Sequence, residues 1–147
     1  MSVTIQDASH VDPRPTKNVL VIDDVPEIGQ MYRALLRRVR TANVRATIEV
    51  QSARAIELLE REPFDLVITD FRMPGYNGAD VVRAVRRTQP NARCILMSGY
   101  LESSAGKLPE DGVDAVVAKP LNSAAIIALI ERVLADERPP RPSGAPQ

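Results

Sequence analysis

The sequence has no tryptophan, and aromatic residues make up only 3% of its 147 positions. Its core must therefore be built from Val, Leu, Ile, Ala and Met, a composition that favours aliphatic helices packed on a sheet. Cys94, the single cysteine, has neither a second thiol nor a nearby histidine, so disulfide, redox and thiolate-metal chemistry are excluded and it reads as a small core residue. His10, the single histidine, lies in a polar stretch beside Pro13, which argues against a histidine-centred catalytic site. Net charge is absent as well: 19 basic and 19 acidic residues cancel, leaving no footprint for direct nucleic-acid binding. No apolar run exceeds strand length and none resembles a signal segment, so no membrane partner is expected and the expected location is the cytoplasm.

What is present fits one domain: 44% of the residues are hydrophobic, enough for a core but cramped for two domains. Half of the 12 prolines fall before residue 17 or after residue 135. The expected organisation is a flexible tail over 1–16, a folded unit over 17–135 and a Pro-rich flexible tail over 136–147. Inside the unit, apolar runs of strand length alternate with helical spacing. Strands are predicted at 19–22, about 46–50, 66–69, 94–97 and 115–118. Pro26 opens a first helix with Ile28, Tyr32, Leu35 and Val39 inward and Arg33, Arg37 and Arg40 on another face. Ser52 is predicted to cap a second helix with an Ala53, Ile56, Leu59 stripe. A third runs from about Ala79 to Thr88, the segment 100–112 is weak for a helix, and Asn122 or Ser123 caps a last helix reaching about Ala135. This alternation predicts an α/β fold, a doubly wound five-stranded parallel sheet with helices on both faces.

Four of the five predicted strands end in a polar group: Asp23 and Asp24, Asp70, Ser98, and Lys119. In a parallel sheet these ends share one edge, where side chains distant in sequence meet in a crevice. Three carboxylates brought together repel unless a divalent cation neutralises them, and an all-oxygen donor set suits Mg²⁺. A lysine and a hydroxyl opposite them would suit an anionic, oxygen-rich group such as phosphoryl. A phosphate-binding loop at Gly106-Lys107 is excluded, because the spacing from Gly99 is wrong and Leu108 stands where a hydroxyl must bind the metal.

The ordered set Val-Ile-Asp23-Asp24, Ile-Thr-Asp70-Phe-Arg-Met-Pro-Gly, Leu-Met-Ser98-Gly and Lys119-Pro120 resembles the receiver domain of two-component response regulators, across nearly all of the foldable chain. The resemblance implies a flavodoxin-like fold of the receiver type and a stand-alone regulator. It makes Asp70 the phosphoacceptor from a phosphohistidine of a sensor histidine kinase or histidine phosphotransfer protein. It implies Mg²⁺ held by Asp24, Asp70 and the Arg72 backbone carbonyl, with Asp23 acting through water. Ser98 and Lys119 would bind phosphoryl oxygens, Gly99 would leave room beside them, and Arg72 and Tyr100 would tune the lifetime of the phosphoryl group. A cis Lys119-Pro120 bond is also implied. The chain would be no enzyme beyond its own phosphorylation and dephosphorylation, acting on a downstream protein target the sequence does not name, and phosphorylation-dependent dimerisation is left open. Val116 departs from the pattern, since many receivers carry an aromatic there. Two alternatives stand: a phosphate sink or relay intermediate, and a small aspartyl-phosphate hydrolase, which needs a second acid where Arg72 stands.

Overall fold

Val19, Leu20, Val21 and Ile22 are apolar on both sides of the chain, which suits a strand covered on each face. They close β1 (Thr16–Ile22), and all four are fully buried. A computed structural model describes residues 11–99, 112–119 and 122–135. Along them follow α1 (Pro26–Leu36), β2 (Asn43–Glu49), α2 (Ser52–Arg61), β3 (Leu66–Asp70), α3 (Gly78–Thr88), β4 (Arg93–Ser98), β5 (Ala115–Ala118) and α4 (Ser123–Ala135). The five strands make one sheet in the order β2-β1-β3-β4-β5, and every pairing is parallel. The chain winds outward from β1 in both directions, so the crevice at the carboxyl edge opens between β1 and β3. The predicted α/β architecture is present.

Alternation along the strands divides the core in two. Val19, Val21, Leu66, Ile68 and Met97 pack against Tyr32 and Leu35 of α1 and Ile126 and Ile130 of α4. Leu20, Ile22, Val67 and Cys94 pack against Leu59 of α2 and Val81 and Val85 of α3. Each fully buried aliphatic chain contributes about 1.5–3 kcal/mol, so β1 and β3, buried throughout their apolar runs, are the rigid centre. Cys94 is a free, buried thiol, as its setting in the sequence implied.

The helices start where local chemistry allows. Pro26 stands in the first turn of α1, where its missing N–H is no loss. Asn77 and Asp80 form a reciprocal cap on α3, each side chain accepting the other's backbone N–H at 2.9 Å. Asn122 caps α4 by accepting the Ala125 N–H at 2.9 Å.

Several boundaries differ from the sequence reading. β1 takes in Thr16, and the Pro15 carbonyl accepts the Asn43 N–H at 2.8 Å, so ordered pairing begins inside the expected tail and β2 starts at Asn43. α1 ends at Leu36, so Val39 is buried by chain beyond the helix and Arg40 is not on it. Ala53 is exposed, and Ala55 takes its place in the α2 stripe. Ser52 is not the cap, because Gln51 holds that position. Its buried hydroxyl instead donates to the Pro74 carbonyl at 3.2 Å and accepts the Tyr76 N–H at 3.0 Å, a task set by the loop packed on it. Residues 1–10, 100–111, 120–121 and 136–147 lie outside the described residues, and with them nearly all of the weak helix, most of the N-terminal tail and the whole C-terminal one.

The turn after β3 folds back so tightly that α3 begins against the strand it follows. The Gly78 N–H donates to the Phe71 carbonyl at 2.7 Å, and a Cβ at Gly78 would stand 2.7 Å from the Asp70 carbonyl oxygen, the Phe71 Cα and a Leu96 methyl. Two of these neighbours are backbone and cannot step aside. Gly78→Ala is expected to lower the unfolding free energy by about 2 kcal/mol through this overpacking. Urea denaturation reads it, and an unchanged midpoint would show that the turn has slack.

Candidate functional site

Parallel register converts chain positions into neighbours. Ile22 pairs with Thr69, which brings Asp23, one residue past β1, level with Asp70 at the end of β3. Asp70 pairs with Met97, and Ser98 with Ala118, so Ser98 and Lys119 follow on the next steps of the same edge. The Phe71 N–H donates to the Met97 carbonyl at 2.8 Å and the Lys119 N–H to the Ser98 carbonyl at 2.9 Å, which extends the ladder past the strand ends. The Asp23 N–H donates across to the Glu49 carbonyl of β2 at 3.2 Å.

One carboxylate oxygen from each of Asp23, Asp24 and Asp70 lies within 4.8 Å of the other two. Lys119 reaches over β4, and its Nζ donates to Asp70 Oδ1 at 2.8 Å. Depth differs sharply among the acids: Asp23 is fully buried, Asp70 is 6% exposed and Asp24 faces solvent at the mouth. Asp23 Oδ1 accepts the Val25 N–H at 2.9 Å, while its Oδ2 is buried with no hydrogen-bond partner among the described residues. Ser98 is buried, and its hydroxyl donates to the Gly99 carbonyl at 3.2 Å. Arg72 is exposed in the loop after β3, two residues past Asp70. Tyr100 and Pro120 lie outside the described residues, so the second tuning position and the Lys119-Pro120 bond do too.

Burial raises the Asp23 pKa above the ordinary 3.8, and the nearby charges of Asp70 and Asp24 push the same way, against the Val25 N–H and Lys119. Burial works against the charge of Lys119, yet its hydrogen bond to Asp70 and the attraction of Asp70, Asp23 and Asp24 outweigh it, and its pKa is raised. Tyr32 was legible only as helix core. Its ring is 1% exposed, its hydroxyl is buried without a partner among the described residues, and burial together with Asp23 and Asp70 raises its pKa. Its one signal in the sequence is a phenol on a face otherwise aliphatic.

This cluster has the chemistry of a hard-cation site. Its donors are all oxygen, which suits Mg²⁺ over softer metals, and the unpartnered Asp23 Oδ2 is a buried acceptor that a cation or its water shell would satisfy. An ion here would relieve both the mutual repulsion and the lost hydrogen bond.

The sign of the Asp23 shift gives a stability test. Because the folded pKa is raised, the fold favours the neutral acid, and the penalty on the charged form is full above the folded pKa and vanishes as pH falls through the ordinary value of 3.8. Asp23→Asn keeps an acceptor for the Val25 N–H and removes the charge. In EDTA it is expected to be more stable than the parent at pH 7, with the gap closing toward acid pH, and to gain less from added Mg²⁺. Urea titrations over a pH series check this, and parallel curves for the two proteins would contradict it.

Comparison with known proteins agrees with this geometry. The profile of the response regulator receiver domain matches residues 19–131. The chain is similar to the chemotaxis protein CheY of Pseudomonas aeruginosa, 28% identical over 119 residues, which cover 78% of this chain and 94% of that protein. It is also similar to the response regulator protein PilR of the same organism, 34% identical over 84 residues, which cover 57% of this chain and 18% of PilR. It spans about half the length of two other curated regulators it matches, 51% and 49%. Among solved structures, the response regulator TrrA of Thermotoga maritima, in complex with Mg²⁺-BeF, superposes with a TM-score of 0.70 at 25% identity, covering 80% of this chain and 98% of that one. With the profile spanning most of the chain and the acids, hydroxyl and lysine of its motifs gathered at one sheet edge, this chain belongs to the response regulator receiver domain family.

Proposed function

We propose that the chain is a phosphorylation-dependent switch in which Asp70 takes a phosphoryl group from a phosphohistidine of a sensor histidine kinase or histidine phosphotransfer protein. The observation that carries this reading is the setting of Asp70. Its carboxylate is nearly buried, one oxygen is held by Lys119 at 2.8 Å, and the Asp23 and Asp24 carboxylates stand beside it. An Asp70 oxygen attacks the phosphorus, the new P–O bond forms as the P–N bond breaks, and the imidazole nitrogen keeps the electron pair. Asp24, Asp70 and the Arg72 carbonyl would hold Mg²⁺, with Asp23 acting through water, and the ion would supply positive charge that offsets the incoming anion.

The remaining work belongs to the side chains. Lys119 orients the attacking carboxylate before transfer and pairs with a phosphoryl oxygen after it. Ser98 turns its hydroxyl from the Gly99 carbonyl to another phosphoryl oxygen, and Gly99 leaves room for the group. Because Lys119 and Ser98 stand at the ends of β5 and β4, these new bonds draw the two strand ends toward Asp70 and change the surface there. Val116 is 46% exposed on β5 and carries no ring to swing inward, so the switch runs through these strand ends. Catalysis is confined to the chain's own phosphorylation and dephosphorylation, and its output is a protein contact. No described helix is long and apolar enough to cross a membrane.

Incubation with Mg²⁺ and acetyl phosphate, followed by intact mass, tests the reading. The parent is expected to carry a phosphoryl adduct that EDTA prevents and Asp70→Asn abolishes. An adduct persisting on Asp70→Asn would move the acceptor elsewhere. Turnover of small phosphate esters would favour a hydrolase, although Arg72 stands where that chemistry needs an acid. Arg72→Ala is expected to change the decay rate of the adduct severalfold while leaving the fold intact, and an unchanged rate would remove Arg72 from that role.

A further inference from the structure

Beyond Leu36 the chain reads Arg37, Arg38, Val39, Arg40, and the burial of Val39 forces the three arginines beside it outward into solvent. Arg14, arriving from the segment ahead of β1, donates to the Arg40 carbonyl at 3.4 Å. Opposite them α4 presents Ala124, Ile127 and Ala128, with Glu131 one turn on. Together these residues line a groove of about 510 Å³.

The acids at hand are already engaged. Asp12 pairs with Arg14 at 2.7 Å, and Glu131 Oε2 accepts the Arg40 backbone N–H at 2.7 Å. The guanidinium groups of Arg37, Arg38 and Arg40 have no carboxylate partner among the described residues. The backbone N–H leaves Glu131 its charge, but one carboxylate against three arginines is still a local excess of positive charge in a chain with as many acids as bases. A helix C-terminus attracts cations, which accounts for Arg37 and Arg38 at the end of α1. It does not account for Arg14, which comes from another segment, for Arg40, which lies beyond the last turn, or for the apolar floor.

α1 begins at the edge that carries Asp70 and runs back along the sheet, and its 11 residues rise by about 16 Å. The arginines therefore stand past the far end of α1, and since none of the groove's residues belongs to the acidic cluster, the groove is a second site. We propose that it binds a small phosphate ester of nucleotide size, with the phosphates among Arg37, Arg38 and Arg40 and the apolar body on Ala124, Ile127 and Ala128. Guanidinium matches phosphate oxygens in pairs, and the volume falls in the range of roughly 300–1,000 Å³ common to small-molecule pockets. The apolar floor covers little more than one turn of α4, too short to seat a partner helix.

Isothermal titration of the full chain with ADP, and separately with inorganic pyrophosphate, tests this in low salt with EDTA so that the acidic site stays unloaded. ADP is expected to bind saturably at one site, and pyrophosphate more weakly, since it lacks the apolar body. Arg37→Ala/Arg40→Ala and, independently, Ala128→Glu are each expected to weaken ADP at least about tenfold, all at exposed positions and with unchanged circular dichroism. Asp70→Asn should bind ADP as the parent does. Absence of saturable heat up to millimolar ADP, parent-like ADP binding by either groove variant, or a loss in Asp70→Asn would each overturn the proposal. Tighter binding of a glutamate-rich peptide than of ADP would overturn it too, in favour of a protein ligand.

Discussion

Three carboxylates that bring one oxygen each within 4.8 Å of the others repel, and two of them are buried where water cannot screen the repulsion. The fold tolerates this because Lys119 brings an ammonium to Asp70 and because the Val25 N–H serves one oxygen of Asp23. The balance is incomplete, as the raised pKa and the unpartnered oxygen of Asp23 testify. That deficit makes the site receptive: a cation and a phosphoryl group complete a charge arrangement that the protein alone leaves unfinished. Stability is given up locally so that ligand binding can restore it.

A strained cluster of this kind needs a stiff frame. β3, which carries Asp70, is buried throughout, as is β4 beside it, β1 is buried over the four residues that lead into Asp23, and the ladder hydrogen bonds continue past the ends of β1 and β3 into Asp23 and Phe71. The loop after β3 is pinned on three sides, by Gly78 against the Asp70 backbone, by the Asn77–Asp80 cap, and by Ser52 holding Pro74 and Tyr76. β5 differs: it has four residues, lies at the sheet edge and is half exposed. Rigidity is concentrated around the nucleophile, and compliance lies where Lys119 must move.

Much of this was legible along the chain. Apolar runs mark strands because every residue of a doubly covered strand is buried, and β3 occupies the span its apolar run and closing acid delimit. The functional side chains were visible because each breaks such a run at its carboxyl end. Errors gathered where a non-local partner decides. Ser52 reads as a cap because nothing nearby in sequence announces Pro74 or Tyr76, and β2 begins early because Pro15 is there to pair with Asn43.

Local order in the sequence determined which residues end the strands and therefore which chemical groups are available: acids, a hydroxyl and an ammonium, with no imidazole and no reactive thiol among them. Only the tertiary structure decided how they meet. Asp23 and Asp24 are adjacent in sequence, yet one is sealed in the core, its N–H still bonded to the Glu49 carbonyl of β2, and the other faces water where the chain turns away from the sheet. Lys119 bonds Asp70 across an intervening strand, Tyr32 sets a phenol in the field of the acids, and arginines from two separate segments converge beyond α1. These distances follow from register and crossover, which are properties of pairs of segments and which no single stretch of chain encodes.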